Sequence, residues 1–193
     1  LLALDITLFL KNVLIMKRQS FILCCFLFSL LLLSSRCKKD RFDLPPETTT
    51  GAMTFGCKVN GKVFVPRDGR GKPGLYCQYV NLGTGEGGGW FLNIPATDWK
   101  DRNLQALDIT TDSLFVGENN TYSFKRRVKG FANAAYSFGS KYYEISPTDS
   151  GQLEIIKHDP SQRILSGRFW FNGTDKESGE KVEIREGRFD IIY

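Results

Sequence analysis

Few residues in this chain of 193 have types and spacing that match known chemical sites. Its one histidine, His158, excludes histidine dyads and metal sites that need several histidines. Gly83 to Gly88 fits the spacing G-x-G-x-x-G, but a strand ended by proline follows at Trp90 to Pro95, where a dinucleotide site needs a helix. We therefore interpret these glycines as a hairpin loop and predict no catalytic set, no metal site and no cofactor.

Acidic residues are numerous, and their spacing selects no site. Asp108, Asp112 and Glu118 could offer oxygen ligands to Ca²⁺, but they match no EF-hand loop and are interpreted as turn residues. A pair of glycosidase carboxylates stays open as an alternative, because two flanking carboxyl groups suffice for that hydrolysis and no pattern here selects them.

The best candidate for contact with a ligand or partner is Trp170 beside Arg168. Both residues lie on the opposite side of their predicted strand from Phe169 and Phe171. Aromatic faces stack on sugar rings and anchor interfaces, so this pair would suit either role. A sandwich covered on both faces would explain Trp170 equally well.

The amino-terminal residues predict export. Lys17 and Arg18 precede an apolar run, Phe21 to Leu33, which has the layout of a secretory signal peptide. At ~1.5 Å per residue this run covers roughly 20 Å, short of the ~30 Å needed for the alternative, a permanent transmembrane helix. We predict a signal peptide over residues 1–36, with residues 1–15, before Met16, interpreted as an over-extended gene model.

Two short motifs predict covalent modification. The end of the signal, Leu33 to Cys37, resembles a bacterial lipobox, which implies a lipid on Cys37 and stable anchoring by two or three acyl chains. Arg36 departs from the small residue that normally precedes this cysteine, so a soluble secreted form cut near Ser35 stays open. Asp112-Ser113-Leu114 resembles the O-glycosylation motif of Bacteroidetes proteins, which implies modification of Ser113.

A lipidated, flexible tether is predicted at residues 37–52, because Pro45-Pro46 and the threonines after them show no apolar periodicity. A single domain follows at residues 53–193 and contains Cys57 and Cys77. Export to an oxidising compartment favours a disulfide between them, which closes about 20 residues and contributes roughly 3 kcal/mol. Two buried free thiols are the alternative, since both cysteines lie on apolar faces.

The elements that must position these residues have a period of two. Asn60-Gly61 separates two alternating apolar runs, which is the strongest short signal for a β-hairpin. Further strand-like runs recur at short intervals, and no amphipathic helical period extends beyond two turns; Val128 to Phe138 comes closest. The prediction is an all-β fold, an antiparallel β-sandwich or flattened barrel of about nine to ten strands.

Along the last predicted strand, the apolar residues change from one face to the other. Val182 and Ile184 share one face, whereas Phe189, Ile191 and Tyr193 would fall on the other. We therefore predict a β-bulge at Glu186-Gly187, which returns the apolar set to the core.

A family resemblance is carried by two stretches, TGAMTFGCKVNGKVFVP at Thr50 to Pro66 and SGRFWFNGTDKESGEKVEIREGRFDIIY at Ser166 to Tyr193. They resemble an uncharacterised family of Bacteroidetes lipoproteins classed as a domain of unknown function. The resemblance implies lipoprotein status, a β-rich fold and an envelope location, and it brings no catalytic residues.

The charge balance and the anchor together set the predicted function. Without residues 1–36 the chain carries 22 basic against 20 acidic side chains, so we expect no nucleic-acid partner. We predict a protein lipid-anchored to the outer membrane, on its periplasmic or surface face, that acts as a non-enzymatic binding or accessory module for a glycan or envelope protein. The alternatives are a polysaccharide-acting enzyme with unidentified carboxylates and a structural component of an outer-membrane or surface assembly.

Overall fold

The structure is a computed structural model, and it describes residues 43–193. In that range the chain forms eleven β-strands and no helix. The strands are β1 (Thr54–Val59), β2 (Lys62–Phe64), β3 (Gln78–Asn81), β4 (Trp90–Asp98), β5 (Gln105–Thr111), β6 (Thr121–Ser123), β7 (Ala132–Phe138), β8 (Lys141–Glu144), β9 (Gly151–Asp159), β10 (Ile164–Asp175) and β11 (Lys181–Ile192). The all-β prediction is confirmed. The described residues include no helix of the length and apolar character that a membrane crossing requires.

The strands form one antiparallel sheet that branches at β10 and is not closed into a barrel. Its main order is β2-β1-β11-β10-β8-β7-β5-β4-β3, while β9 pairs with β10 and β6 pairs with β9. Ile164 to Phe171 of β10 pair with β9, and Thr174 and Asp175 of the same strand pair with β8. The two branches face each other across one core, as Leu153 and Ile155 of β9 and Leu107 and Ile109 of β5 belong to the same buried cluster.

One strand, β7, was not expected from the sequence. In the sequence, Val128 to Phe138 is the segment whose pattern comes closest to a helix. Its strand contains Ala132, Ala134 and Ala135 rather than β-branched residues. In the sheet these alanines lie between β5 and β8, where all three are buried. Partner strands on both sides therefore override a weak local preference for extended backbone.

The predicted hairpin and bulge are both confirmed. Asn60 and Gly61 have φ values of 47° and 80°, as a type I′ turn between β1 and β2 requires. Arg185 and Arg188 of β11 pair with Lys58 and Gly56 of β1, respectively. Two residues lie between the paired positions in β11 and one lies between them in β1, so β11 carries one extra residue. Glu186 takes the left-handed conformation, with φ 54°.

The two cysteines of the domain are free thiols, so the predicted Cys57–Cys77 disulfide is wrong for this structure; of the alternative, two buried free thiols, the buried state holds for Cys57 alone. Cys57 is fully buried in β1, and burial raises the pKa of its thiol. Cys77 is partly exposed, and burial raises its pKa to about 12. The strands involved are not neighbours in the sheet, because β1 pairs with β11 and β2, whereas β3, the strand that Cys77 precedes, pairs with β4.

Part of the predicted tether lies on the domain. Thr48, Thr50, Gly51 and Ala52 all donate hydrogen bonds to the side chain of Asp190 in β11. The folded unit therefore extends further toward the amino terminus than Met53. Residues 37–42 of the tether, with the lipid site Cys37 and the signal peptide, lie outside the described residues.

Candidate ligand-binding groove

A surface groove of about 350 Å³ lies on the outer face of the sheet, across β6, β9, β10 and β11. Its floor follows from strand register, because Thr121, Glu154, Arg168 and Arg188 are successive cross-strand partners in these four strands. Two residues further along β9 and β10, Gln152 lies opposite Trp170. The polar lining is completed by Glu47, from the segment before β1, and by Glu186 at the bulge of β11.

The predicted division of β10 into two faces is confirmed. Phe169 and Phe171 are buried in the core, whereas Arg168 is exposed and Trp170 is partly exposed on the outer face. The structure thus places Arg168 and Trp170 together in the lining of one groove. Their role in ligand contact stays a prediction.

Two arginines from neighbouring strands lie side by side in the lining of the groove. Arg168 and Arg188 are direct cross-strand partners, so their charges need compensation. Glu47 accepts hydrogen bonds from Nε of Arg168, at 3.0 Å to Oε2, and from its Nη2, at 2.6 Å. Glu154 Oε2 lies 3.6 Å from Nη1 of the same guanidinium. The hydrogen bonds from Arg168 lower the pKa of Glu47, so this carboxylate is ionised at neutral pH.

One face of the Trp170 indole packs against an arginine, which restricts the orientation of the ring. The guanidinium of Arg185 lies over the indole, 5.5 Å from the ring centroid. Arg185 is itself held by Asn172, whose Oδ1 accepts a hydrogen bond from Nη2 at 2.6 Å, and by the carbonyl oxygen of Phe171 at 3.1 Å. A fixed indole costs little conformational entropy when a ligand packs on it.

The bulge brings the third carboxylate to the groove. Glu186 Oε1 accepts a hydrogen bond from Lys58 Nζ at 2.6 Å, across the β1–β11 pair. The next residue, Gly187, has no room for a side chain, since an added Cβ would lie 2.5 Å from ring carbons of Phe169. The sequence therefore needs glycine here so that the floor of the groove can pack onto the core.

Asp190 positions the segment that carries Glu47. This carboxylate is 1% exposed and accepts five hydrogen bonds of 2.6–3.0 Å, from Thr48 Oγ1, Ser166 Oγ and the backbone N–H groups of Thr50, Gly51 and Ala52. Burial alone would raise the pKa of Asp190, but these hydrogen bonds outweigh it and lower the pKa to about 2. The ionised carboxylate thus fixes residues 48–52 on the domain and places Glu47 over Arg168.

Ser113, the predicted O-glycosylation site, lies outside the groove lining. Ser113 has φ 52°, and its Oγ donates a hydrogen bond of 2.8 Å to the carbonyl oxygen of Gly88. Glycosylation of Ser113 stays a prediction. The Gly83 to Gly88 segment joins the paired strands β3 and β4, which confirms the predicted hairpin loop.

His158 belongs to an aromatic cluster that sequence reasoning missed. Its Nδ1 lies 2.7 Å from the carbonyl oxygen of Val116, and its Nε2 lies 3.1 Å from the hydroxyl of Tyr193. The ring also contacts Tyr79 and Phe115, with centroids 5.3 Å and 5.6 Å away. Both nitrogens are engaged within the fold, so we interpret His158 as a structural residue.

Sequence reasoning also missed Glu47 and Glu154 as partners of Arg168. The alternation of β10 indicates which side chains face outward, but it contains no information on the strand beside it. Glu154 could be found only from the register of β9 against β10, and Glu47 only from the docking of the segment before β1.

The fold and the groove define an all-β domain with a polar, aromatic surface site. A family described as Domain of unknown function (DUF6252) matches residues 91–192, and the chain belongs to this family. The matched region contains all four strands of the groove floor, and Glu47 precedes it. Comparisons with curated proteins and with solved structures give no match.

Proposed function

We propose that this protein is a lipoprotein of the Bacteroidetes cell envelope, anchored to the outer membrane through Cys37, and that it is a non-enzymatic module that binds an envelope glycan in the groove. The anchor rests on the signal-like run and lipobox-like sequence before Cys37. The binding role rests on the groove, and above all on one observation: Trp170 and Arg168 line it together with Glu154.

These residue types match the chemistry of sugars. A sugar ring has an apolar face of C–H groups that packs on an indole, and its hydroxyls both donate and accept hydrogen bonds. The groove offers Arg168 and Arg188 as donors, Glu154 as an acceptor, and Gln152 as both. Its volume of about 350 Å³ lies in the range of small-molecule sites, roughly 300–1,000 Å³, which favours a short stretch of glycan.

The electrostatics make Glu47 unsuited to the acid role in hydrolysis. A glycosidase needs one carboxylic acid whose pKa is raised, so that it can protonate the leaving oxygen, beside a second carboxylate. Glu47 has the opposite character, because the hydrogen bonds from Arg168 lower its pKa. We therefore assign Glu47 a role in binding.

The sheet edges also favour a binding role over assembly by strand addition. Within residues 43–193, the strands at the ends of the sheet and its branch are β2, β3 and β6, each of three or four residues. Short edge strands offer little backbone for pairing with another chain.

The anchor would keep the groove near the bilayer. Cys37 and Glu47 are ten positions apart in the sequence, which limits their separation to roughly 35 Å even for fully extended backbone. A glycan at or close to the membrane surface is therefore the expected ligand.

The test is a glycan array probed with the mature protein, followed by calorimetry on any glycan that binds. Trp170→Ala should weaken binding by at least about tenfold, as expected for loss of a stacked aromatic anchor. Trp99→Ala is the matched control, since Trp99 lies outside the groove lining and should leave binding within about twofold. Wild-type protein that binds no glycan, or equal affinities for the two variants, would count against the proposal.

The anchor is tested separately by mass spectrometry of the mature amino terminus. We expect cleavage before Cys37 and acyl chains on this residue. An uncleaved signal or an unmodified cysteine would refute the anchor without affecting the glycan proposal.

A further inference from the structure

We propose that Arg168 is a receptor for the carboxylate of an acidic sugar, such as a uronic acid, and that Glu47 occupies this receptor when no ligand is bound. The inference rests on the proposed glycan-binding function and specifies its ligand class and a residue that regulates it.

The contact between Glu47 and Arg168 shows what the groove accepts. Nε of the guanidinium donates to Oε1 of Glu47 at 3.1 Å, and Nη2 donates to Oε2 at 2.6 Å. This is the fork-like arrangement in which arginine recognises a planar carboxylate. A carboxylate therefore fits over Arg168 in the groove.

Glu47 is held there weakly enough to be displaced. Its side chain is 38% exposed and that of Arg168 is 51% exposed, and ion pairs in such solvent contact stabilise little. The backbone that follows Glu47 is fixed independently, through the hydrogen bonds of residues 48–52 to Asp190. Rotation of one side chain would free Arg168 while the rest of the segment stays in place.

The charge of the groove suits a ligand with one carboxylate at this position. Its lining contains three glutamates, Glu47, Glu154 and Glu186, and two arginines, Arg168 and Arg188. A ligand carboxylate that takes the place of Glu47 on Arg168 restores the same ion pair. A densely charged anion would meet Glu154 and Glu186 without further cations in the lining.

Trp170 lies where the ring of the same sugar would be. Arg168 and Trp170 are two residues apart on one face of β10, which places their Cα atoms roughly 6.6 Å apart. A pyranose ring packed on the indole can therefore direct its carboxylate toward the guanidinium.

The experiment is calorimetry of the full-length mature protein with two probes, an acidic trimer of one glucuronic acid β-1,4-linked to cellobiose, and cellotriose, its carboxyl-reduced neutral counterpart. In the Glu47→Gln variant, affinity for the acidic trimer should rise about two- to fivefold, because an exposed competing ion pair is removed. In Arg168→Gln, affinity for the same trimer should fall at least about tenfold, because a charged hydrogen-bonded pair is lost. In both variants the change in affinity for the neutral trimer should be smaller than the change for the acidic trimer, because the neutral ligand has no carboxylate to pair with Arg168.

Glu177→Gln is the control, because Glu177 is an exposed glutamate outside the groove lining. It should leave both affinities unchanged. Affinity for the acidic trimer that is unaltered or weakened in Glu47→Gln would overturn the inference. So would an acidic trimer that wild type and Arg168→Gln bind with equal affinity, although glycan binding itself would then stand. Absence of all glycan binding would refute the proposed function as well.

Discussion

The ring of Phe169 covers Gly187 on the facing strand. The two residues are direct cross-strand partners in β10 and β11, and a Cβ on Gly187 would lie 2.5 Å from ring carbons of Phe169. The neighbouring pair has the reverse arrangement, since Gly167 faces Phe189 and its added Cβ would lie 2.7 Å from that ring. Each glycine thus leaves space for a phenylalanine ring from the facing strand.

Gly187→Ala should therefore destabilise the protein. The added methyl has no space against Phe169, and overpacking of this kind costs about 1–3 kcal/mol in the free energy of unfolding. The measurement is urea denaturation followed by tryptophan fluorescence. Gly85→Ala is the matched control, because no heavy atom lies within 4 Å of its added Cβ, and it should change stability by less than about 0.5 kcal/mol. Equal effects of the two substitutions would show that the Phe169 contact is not tight.

Asp190 should make stability depend on pH in the acid range. Its pKa in the folded protein is about 2, below the usual value of 3.8, so its contribution is fully present above pH 3.8 and is lost as the pH falls toward 2. A pKa shift of this size corresponds to about 2 kcal/mol in the free energy of unfolding. Urea denaturation in steps from pH 6 to pH 2 measures the loss.

Asp190→Asn separates this carboxylate from the other acids. The variant should be about 2–3 kcal/mol less stable than wild type at neutral pH, because buried donors lose their charged acceptor. Its stability should also fall less steeply below pH 4. Ser166→Ala removes one of the hydrogen bonds and should have an intermediate effect. If the free energy of unfolding of Asp190→Asn fell as steeply below pH 4 as that of wild type, the assignment of this acid dependence to Asp190 would be contradicted.

Glu186 has an unfavourable backbone conformation at the bulge. Its φ of 54° lies in the left-handed region, which disfavours residues with a Cβ by about 1 kcal/mol. We expect Glu186→Gly to be about 1 kcal/mol more stable than Glu186→Ala. Both variants lose the ion pair with Lys58, so their difference in urea denaturation isolates the backbone term. An alanine variant at least as stable as the glycine variant would mean that the bulge tolerates other conformations.

The thiols offer a direct check of the topology. Cys57 and Cys77 are both free, and burial raises the pKa of each. They should react slowly with iodoacetamide in the native protein and fully in urea, with no reductant added. Peptide mass spectrometry reads each cysteine separately. A linked pair of peptides would contradict the free-thiol state.

Local pattern accounts for much of the fold. The alternation in β10 indicates that Phe169 and Phe171 are buried and that Arg168 faces outward, because successive side chains of a strand point to opposite faces. The parity change in β11 similarly locates the bulge at Glu186. Ala132 to Phe138 escaped this reasoning, since alanine has no marked preference for extended backbone and its neighbours in the sheet decide its state.

The groove is only half determined by sequence. The sequence by itself determined the all-β class, the hairpin, the bulge and the outward face that carries Arg168 and Trp170, all of which depend on residues close together in the chain. Tertiary structure alone decided that Glu47 and Glu154 meet Arg168, that Asp190 binds residues 48–52, and that Cys57 and Cys77 stay apart. These relationships depend on which strands become neighbours and in what register, and pairing across many intervening residues is set by the packing of the whole sheet rather than by local periodicity.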